Sequence, residues 1–324
     1  MRFEDKTCIV TGGAGAIGSR LVSRLLDEGA AKVIVVDDLS SGYEWLLPGD
    51  DRVRFDKADV VDYFANAKID PDAYIWHLAA FFANQNSVDH PLDDLHTNGM
   101  GTLQVLRWAA DAGAQRVVYA SAGCSIAGHG IDGPISEDMP VSLHLDTPYQ
   151  ITKALGEFYC NYYLSNLSSV RCRFFNCYGP GEVPGPYRNV IPNFIWLAMH
   201  DRPLTITGTG EETRDFIFVD DLVDGLMRAA LKDAAHGEAI NLGTGQETRI
   251  IDLAESVIRL TGSSSSIEYA PRRAWDNSRT RQADISRASE LLGLAPSVRL
   301  EQGLLETVQW FRENFEQIDR SSEF

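Results

Sequence analysis

Cysteine is scarce and scattered: five stand in 324 residues, with no Cys-x-x-Cys pair among them. That spacing speaks against a zinc site and against a disulfide framework. Cys8, Cys124, Cys160, Cys172 and Cys177 are therefore expected as reduced thiols, in a cytoplasmic protein that holds no metal. Basic residues are also in deficit, with 29 Lys and Arg against 46 Asp and Glu and a formal charge of −17. Nucleic acid as a partner needs a basic face, so none is expected. No apolar run approaches the ~20 residues of a membrane span. Met1–Lys6 leads straight into a strand signal, so neither an anchor nor a secretory leader is expected. No internal repeat is visible.

What is present is an ordinary globular composition, 44% hydrophobic and 23% charged, long enough for one large α/β domain or a large and a small one. Short apolar runs alternate with helical patterns through the first half. Cys8–Val10, Lys32–Asp37, Val53–Lys57, Tyr74–Leu78 and Arg116–Ala120 read as strands. Leu95–Ala112 and a stretch from Lys153 to about Leu164 read as helices, and Val170–Asn176 as a further strand. Continuous apolar strands separated by helices predict a doubly wound parallel sheet of the Rossmann type, covered on both faces. The texture changes at Tyr178–Tyr187, where glycine and proline dominate. The expected division is residues 1–175 for dinucleotide binding, with 215–250 returning to that part, and 176–324 mainly as a smaller, mixed substrate lobe. Ile240–Leu242 is expected to rejoin the sheet, Leu300–Phe315 to pack as the last helix, and Ser321–Phe324 to fray.

A glycine-rich turn follows the first strand: Thr11-Gly12-Gly13-Ala14-Gly15-Ala16-Ile17-Gly18, opening onto Leu21, Val22, Leu25 and Leu26 at helical spacing. Glycines here allow a tight turn and close approach of backbone to a pyrophosphate, which the following helix N-terminus attracts. Gly12, Gly15, Ala16, Ile17 and Gly18 are thus candidate cofactor contacts. Asp37 ends the second strand 19 residues beyond Gly18, where a carboxylate accepts from ribose hydroxyls and repels a 2′-phosphate. That points to NAD rather than NADP. Asp59, after the third strand, is a candidate acceptor from the adenine amino group, or else a surface acid. Leu78, Ala79 and Ala80 let the chain pass close under the cofactor, while His77 reads as a structural histidine.

Tyr149 and Lys153 lie one helical turn apart and share a face. An ammonium beside a phenol favours the phenolate by Coulomb attraction. A tyrosine so tuned takes a hydroxyl proton while hydride leaves the same carbon for NAD⁺.

With these motifs in hand, the chain resembles the extended short-chain dehydrogenase/reductase family, and within it the nucleotide-sugar epimerases and dehydratases. The resemblance spans nearly the whole chain. It is carried by Thr11–Gly18, Asp37, His77–Ala80, Asn98-Gly99-x-Gly101-Thr102, Tyr149-x-x-x-Lys153, Asn176-x-Tyr178-Gly179-Pro180, Arg214-Asp215-Phe216-Ile217-x-Val219-x-Asp221 and Asn241-x-Gly243. It implies tightly held NAD⁺, an NDP-sugar (UDP-linked) across the C-terminal lobe, and a homodimer joined through two long helices per subunit. It also implies that Asn98 contacts the cofactor, that Asn176 and Asn189 contact the sugar diphosphate, and that Arg214 and Arg273 clamp its phosphates. For Arg214, a buried structural ion pair is the rival reading.

One departure stands out. The family has a Ser or Thr after the fifth strand, a fixed step before Tyr-Gly. Here Ala120-Ser121-Ala122-Gly123-Cys124-Ser125-Ile126-Ala127-Gly128 lacks Tyr-Gly, and Ser121 and Ser125 both remain candidates for that catalytic role. Dehydratases of the family carry Asp-Glu in this segment and decarboxylating members a Glu, where this chain has Cys124 and Ser125. Neither is a comparable acid–base group at neutral pH. The remaining expectation is C4 epimerisation through a 4-keto sugar. A dehydratase or reductase of the same family is the alternative, and a non-catalytic dinucleotide sensor ranks below both because Tyr149 and Lys153 are retained.

Overall fold

A computed structural model of the chain describes residues 3–67, 71–128, 131, 133–276 and 279–322; the side chain of Cys124 lies outside that set. Seven parallel strands form one sheet in the order Ala239–Leu242, Ser169–Phe174, Arg116–Ala122, Tyr74–His77, Thr7–Thr11, Lys32–Asp37, Val53–Lys57. The order reverses between Thr7–Thr11 and Tyr74–His77, where chain connections leave in opposite directions. This is the crevice in which doubly wound sheets bind ligands.

Alternation along each strand sends side chains to both faces, and both faces are covered. Cys8, Val10, Val33, Val35 and Trp76 join Leu21, Val22 and Leu25 of the helix Ala16–Asp27 and Leu222, Val223 and Leu226 of the helix Val219–Leu231. Ile9, Ile34, Ile75 and Val117 face the other way, onto Val60, Phe64, Val105, Leu106 and Cys160. A large aliphatic side chain buried this way contributes roughly 1.5–3 kcal/mol. Trp76 is fully buried and donates its indole N–H to the Leu226 carbonyl at 3.1 Å, tying the returning helix to the sheet centre.

The expected elements are present with shifted ends. Arg116–Ala122 runs two residues beyond the apolar stretch, and the helix bearing the Tyr/Lys pair spans Pro148–Tyr163. Leu95–Ala112 is not one regular helix: Leu95–Gly101 is π-helical and only Thr102–Ala112 is α-helical. Asn176 does not end the sixth strand. Its N–H donates to the Asp215 carbonyl, and Asn176–Tyr178 pairs in parallel with Phe216–Phe218, away from the main sheet. The last helix stops at Glu313, and Phe315–Ser321 forms another. Ser321 is therefore helical, and the Tyr43 hydroxyl donates to its carbonyl at 3.1 Å; residues 323–324, also expected to fray, lie outside the described residues.

Candidate active site

A cavity of about 840 Å³ opens at the crevice and extends from the sheet toward residues 174–281. Gly12, Gly15, Ala16, Ile17, Gly18, Asp37, Leu78 and Ala80 line its cofactor end. Ser121, Ser125, Tyr149 and Lys153 line its centre, and Asn176, Asn189, Arg214 and Arg273 its far side. A small side cleft shares Gly12, Asp37 and Ala80 and adds Asp59 and Ala79.

Two close approaches shape this cavity. A Cβ on Gly18 would stand 2.2 Å from the Gly12 carbonyl oxygen, so only glycine lets the helix start against the turn. A Cβ on Gly156 would stand 2.1 Å from the Tyr119 hydroxyl. The helix Pro148–Tyr163 therefore rides directly on the fifth strand, and the Tyr119 hydroxyl donates to the Lys153 carbonyl at 3.2 Å.

The cofactor end fits a dinucleotide. Gly15 caps the helix Ala16–Asp27 without any side chain, so no side-chain acceptor competes for its cavity-facing first-turn N–H groups. The Asp37 carboxylate accepts from the Ala14 N–H and the Leu39 N–H, each at 2.9 Å, and burial raises its pKa. These bonds fix it at the cavity wall with lone pairs left for a ribose. Asp59 is an N-cap: its Oδ1 accepts from Val61 N–H at 2.7 Å and Asp62 N–H at 3.2 Å, and His96 Nε2 lies 3.4 Å from its Oδ2. It borders the side cleft with one oxygen committed to the helix.

Asn98 does not line the cavity. It sits four residues after Asp94, to which its amide donates at 2.7 Å, and its oxygen accepts the Phe81 N–H at 2.8 Å. It is buried and holds the Phe81 backbone through both ends of its amide, between the cavity residues Ala80 and Phe82. His77 is also structural. Its ring bridges the Thr11 and Thr102 hydroxyls at 2.8 and 3.0 Å, and burial lowers its pKa to about 3, so it is neutral.

At the centre, Lys153 Nζ donates to the Ala120 carbonyl at 2.9 Å and lies 5.7 Å from the Tyr149 ring centroid. Burial lowers the Lys153 pKa to about 8, with the Asp94 carboxylate pulling the other way. The Tyr149 ring packs edge-on against Phe82 at 6.0 Å, and its backbone N–H donates to Ser87 Oγ at 3.1 Å.

The two serines differ. Ser121 Oγ donates to Glu157 Oε1 at 2.5 Å. Arg173 holds the same carboxylate in a two-pronged pair at 2.9 and 2.8 Å. Ser125 is buried at the cavity wall, in the short helix Gly123–Ile126. Glu157 and Arg173 were not singled out from the sequence, although Tyr149, Lys153 and Glu157 fall on one helical face.

On the far side, Arg214 pairs with Asp276 at 3.1 Å, and Arg281 approaches the same acid at 3.5 Å. Arg214 thus has both its expected place on the cavity and its rival ion pair. Arg273 lies over the Trp275 ring at 5.6 Å. Asn189 Nδ2 donates to Glu182 Oε1 at 2.8 Å, and burial pushes the Glu182 carboxyl up to about 7. Glu182, Gln85 and Trp275 are cavity residues that the sequence reading passed over.

Polar contacts link the segments around the cavity. Trp275 Nε1 donates to Gln85 Oε1 at 2.8 Å, Gln85 Nε2 to Asp89 at 3.0 Å, and the Tyr187 hydroxyl to Asp89 at 3.2 Å. Arg188 donates to the Ser41 carbonyl at 2.6 Å, beside the cofactor end.

Residues 8–243 match the model of the NAD dependent epimerase/dehydratase family. A UDP-glucose 4-epimerase of Mycolicibacterium smegmatis is 39% identical over 94% of this chain and 98% of its own length. A UDP-N-acetyl-alpha-D-glucosaminuronate decarboxylase of Bacillus cytotoxicus is 34% identical over 95% of this chain and 98% of its own. Among solved structures, an epimerase from Methanothermobacter thermautotrophicus superposes with a TM-score of 0.93 at 46% identity, covering 99% of this chain and 96% of the other. Four independent features agree with these matches: the glycine turn, the acid at the second strand end, the Tyr149/Lys153 pair and a cavity running from one to the other. The chain belongs to the NAD-dependent epimerase/dehydratase family.

Proposed function

We propose that the chain inverts C4 of a UDP-linked hexose with no net oxidation. One observation carries this reading. The elements that carry Ser121, Ser125, Tyr149 and Lys153 bring a phenol, an ammonium and hydroxyls to the cavity but no carboxylate or imidazole, whereas the lining acids Asp37, Glu182, Glu212 and Asp276 come from other segments and are each held by local donors. Glu157 lies behind Ser121, held by Arg173, and His77 is enclosed between two threonines. Dehydration and decarboxylation both divert the 4-keto sugar by acid–base chemistry at carbons beyond C4, and that chemistry lacks a residue here.

In this proposal Tyr149 removes the C4 hydroxyl proton and later returns it. Lys153 lies beside the ring and favours the phenolate, and Ser125 hydrogen-bonds the same sugar hydroxyl. Gly12, Gly15–Gly18, Asp37, Leu78 and Ala80 hold NAD, with Asp59 and Ala79 at the adenine side. Held there, NAD would supply reversible hydride acceptance at C4. Asn176, Asn189, Arg214 and Arg273 hold the sugar diphosphate. Arg214 reaches a phosphate by giving up Asp276 for it.

The test is incubation of purified protein with UDP-glucose and UDP-N-acetylglucosamine, with C4 configuration followed by NMR. Inversion without net NADH consumption supports the proposal. A 4-keto-6-deoxy product without inversion refutes it. Tyr149→Phe should lower turnover by about 10²–10⁴-fold, the range for general acid–base groups, with bound NAD unchanged.

We also propose a homodimer. Leu92, Leu95, Ile151, Phe158 and Tyr162 are exposed apolar side chains on neighbouring helical segments, and such a stripe marks a protein interface. Phe158→Asp should convert a dimer to a monomer on size-exclusion chromatography with light scattering. No helix of the described residues is long and apolar enough to cross a membrane. The described cysteines, Cys8, Cys160, Cys172 and Cys177, are free thiols, which fits a cytoplasmic setting.

A further inference from the structure

We infer that Gln85 and Trp275 are positioning residues for the phosphate clamp: the short helix Asn84–Asp89, acting through the Trp275 indole, sets where Arg273 stands in the cavity. This rests on the proposed contact of Arg273 with the sugar diphosphate. It adds two residues that serve that contact without having to touch the ligand.

Arg214 and Arg281 are placed by Asp276, which both approach. Arg273 stands differently. It is exposed at the cavity, within residues 271–276, which form neither helix nor strand. A long, flexible side chain there gives up rotamer freedom when it grips a phosphate, and that loss weakens binding. The structure supplies the order beforehand. The Arg273 guanidinium lies over the Trp275 ring at 5.6 Å, within cation–π range, and the Asp276 N–H donates to the Arg273 carbonyl at 3.1 Å.

Trp275 is itself fixed, because its Nε1–H donates to Gln85 Oε1 at 2.8 Å. The Gln85 amide is oriented for that bond by its other end, which donates to Asp89 at 3.0 Å; Asp89 also accepts from the Tyr187 hydroxyl at 3.2 Å. The short helix is in turn anchored to the start of the helix Pro148–Tyr163. Thr147 Oγ1 donates to Asn84 Oδ1 at 2.8 Å, and the Tyr149 N–H to Ser87 Oγ at 3.1 Å. One small element therefore supports both Tyr149 and, through Trp275, Arg273.

The experiment measures binding of UDP to the NAD-loaded protein by calorimetry, in a double-mutant cycle. Gln85→Met keeps the side-chain length and removes the acceptor. Trp275→Phe keeps a ring beneath Arg273 and removes the donor. Each is expected to weaken UDP binding about fivefold, the order of one lost hydrogen bond, with NAD content and melting temperature unchanged. In an Arg273→Ala background, Gln85→Met is expected to change UDP binding by less than about twofold, because it acts through the arginine. A packing role alone would lower the melting temperature and leave UDP affinity as it was; that result, or the same loss persisting in the Arg273→Ala background, overturns the inference. If Arg273→Ala weakens UDP binding and Gln85→Met does not, the positioning role fails and the Arg273 contact stands. If Arg273→Ala has no effect, the proposed contact fails and the positioning role fails with it. Absence of C4 inversion with the cycle intact refutes the proposed reaction alone.

Discussion

Replacing Lys153 by methionine separates the cost of burying this ammonium from its service to Tyr149. Burial lowers the Lys153 pKa from 10.5 to about 8, which corresponds to about 3 kcal/mol against the folded state wherever both states are protonated. The sign follows from proton counts. Below pH 8 the lysine is charged in both states and the full cost applies. Between 8 and 10.5 the unfolded chain still binds the proton and the folded one has released it, so stability rises with pH. Above 10.5 both are neutral and the cost is gone. Lys153→Met carries no such titration. The stability difference, wild type minus variant, should therefore move toward the wild type by about 3 kcal/mol between pH 7 and pH 10.5. Urea denaturation followed by tryptophan fluorescence, at matched cofactor content, measures this difference and cancels the titrating groups that do not interact with Lys153. A difference flat to within about 1 kcal/mol, or one moving toward the variant, would sink the reasoning. Activity should be lost in the variant at every pH.

Three further outcomes follow from the geometry. Ser125→Ala should lower turnover by at least about tenfold with little change in melting temperature, whereas Ser121→Ala should mainly lower stability, since its hydroxyl serves the buried Glu157; equal behaviour in kinetics and melting would contradict the distinction. Gly18→Ala places a methyl against the Gly12 carbonyl and should yield protein with reduced NAD content, read from the 260/280 nm absorbance ratio; full occupancy would count against the turn geometry. Glu157→Gln breaks a buried, two-pronged pair and should cost about 3–5 kcal/mol, while the double change Glu157→Met with Arg173→Leu should recover much of it in thermal denaturation.

The sheet was readable in the sequence because parallel strands buried on both faces appear as unbroken apolar runs. Lys32–Asp37 matches to the residue; so does Val53–Lys57, an edge strand that instead alternates apolar and polar residues. The π-helical stretch Leu95–Gly101 was not readable, since local spacing there suits a regular helix; a Cβ on Gly101 would stand 2.6 Å from Val60 Cγ1, a tertiary constraint invisible to periodicity. The bond of Asn98 to the buried Asp94, one turn earlier, was not read from the sequence. Tyr149 and Lys153 were readable because one helix carries both. The Trp275–Gln85 and Arg188–Ser41 contacts join residues 190 and 147 positions apart, and no spacing rule anticipates them.

The bond from Arg188 to the Ser41 carbonyl has a kinetic meaning. It reaches from the glycine- and proline-rich loop to the loop that follows Asp37, beside the groove that holds the dinucleotide. A dehydrogenase must exchange its nicotinamide every cycle and is served by an open groove. A catalyst that hands back the hydride it took needs the same cofactor molecule at the end as at the beginning. Under the proposed C4 inversion, a strap beside that groove is expected to slow cofactor departure relative to sugar exchange, keeping one coenzyme molecule with the protein over many turnovers.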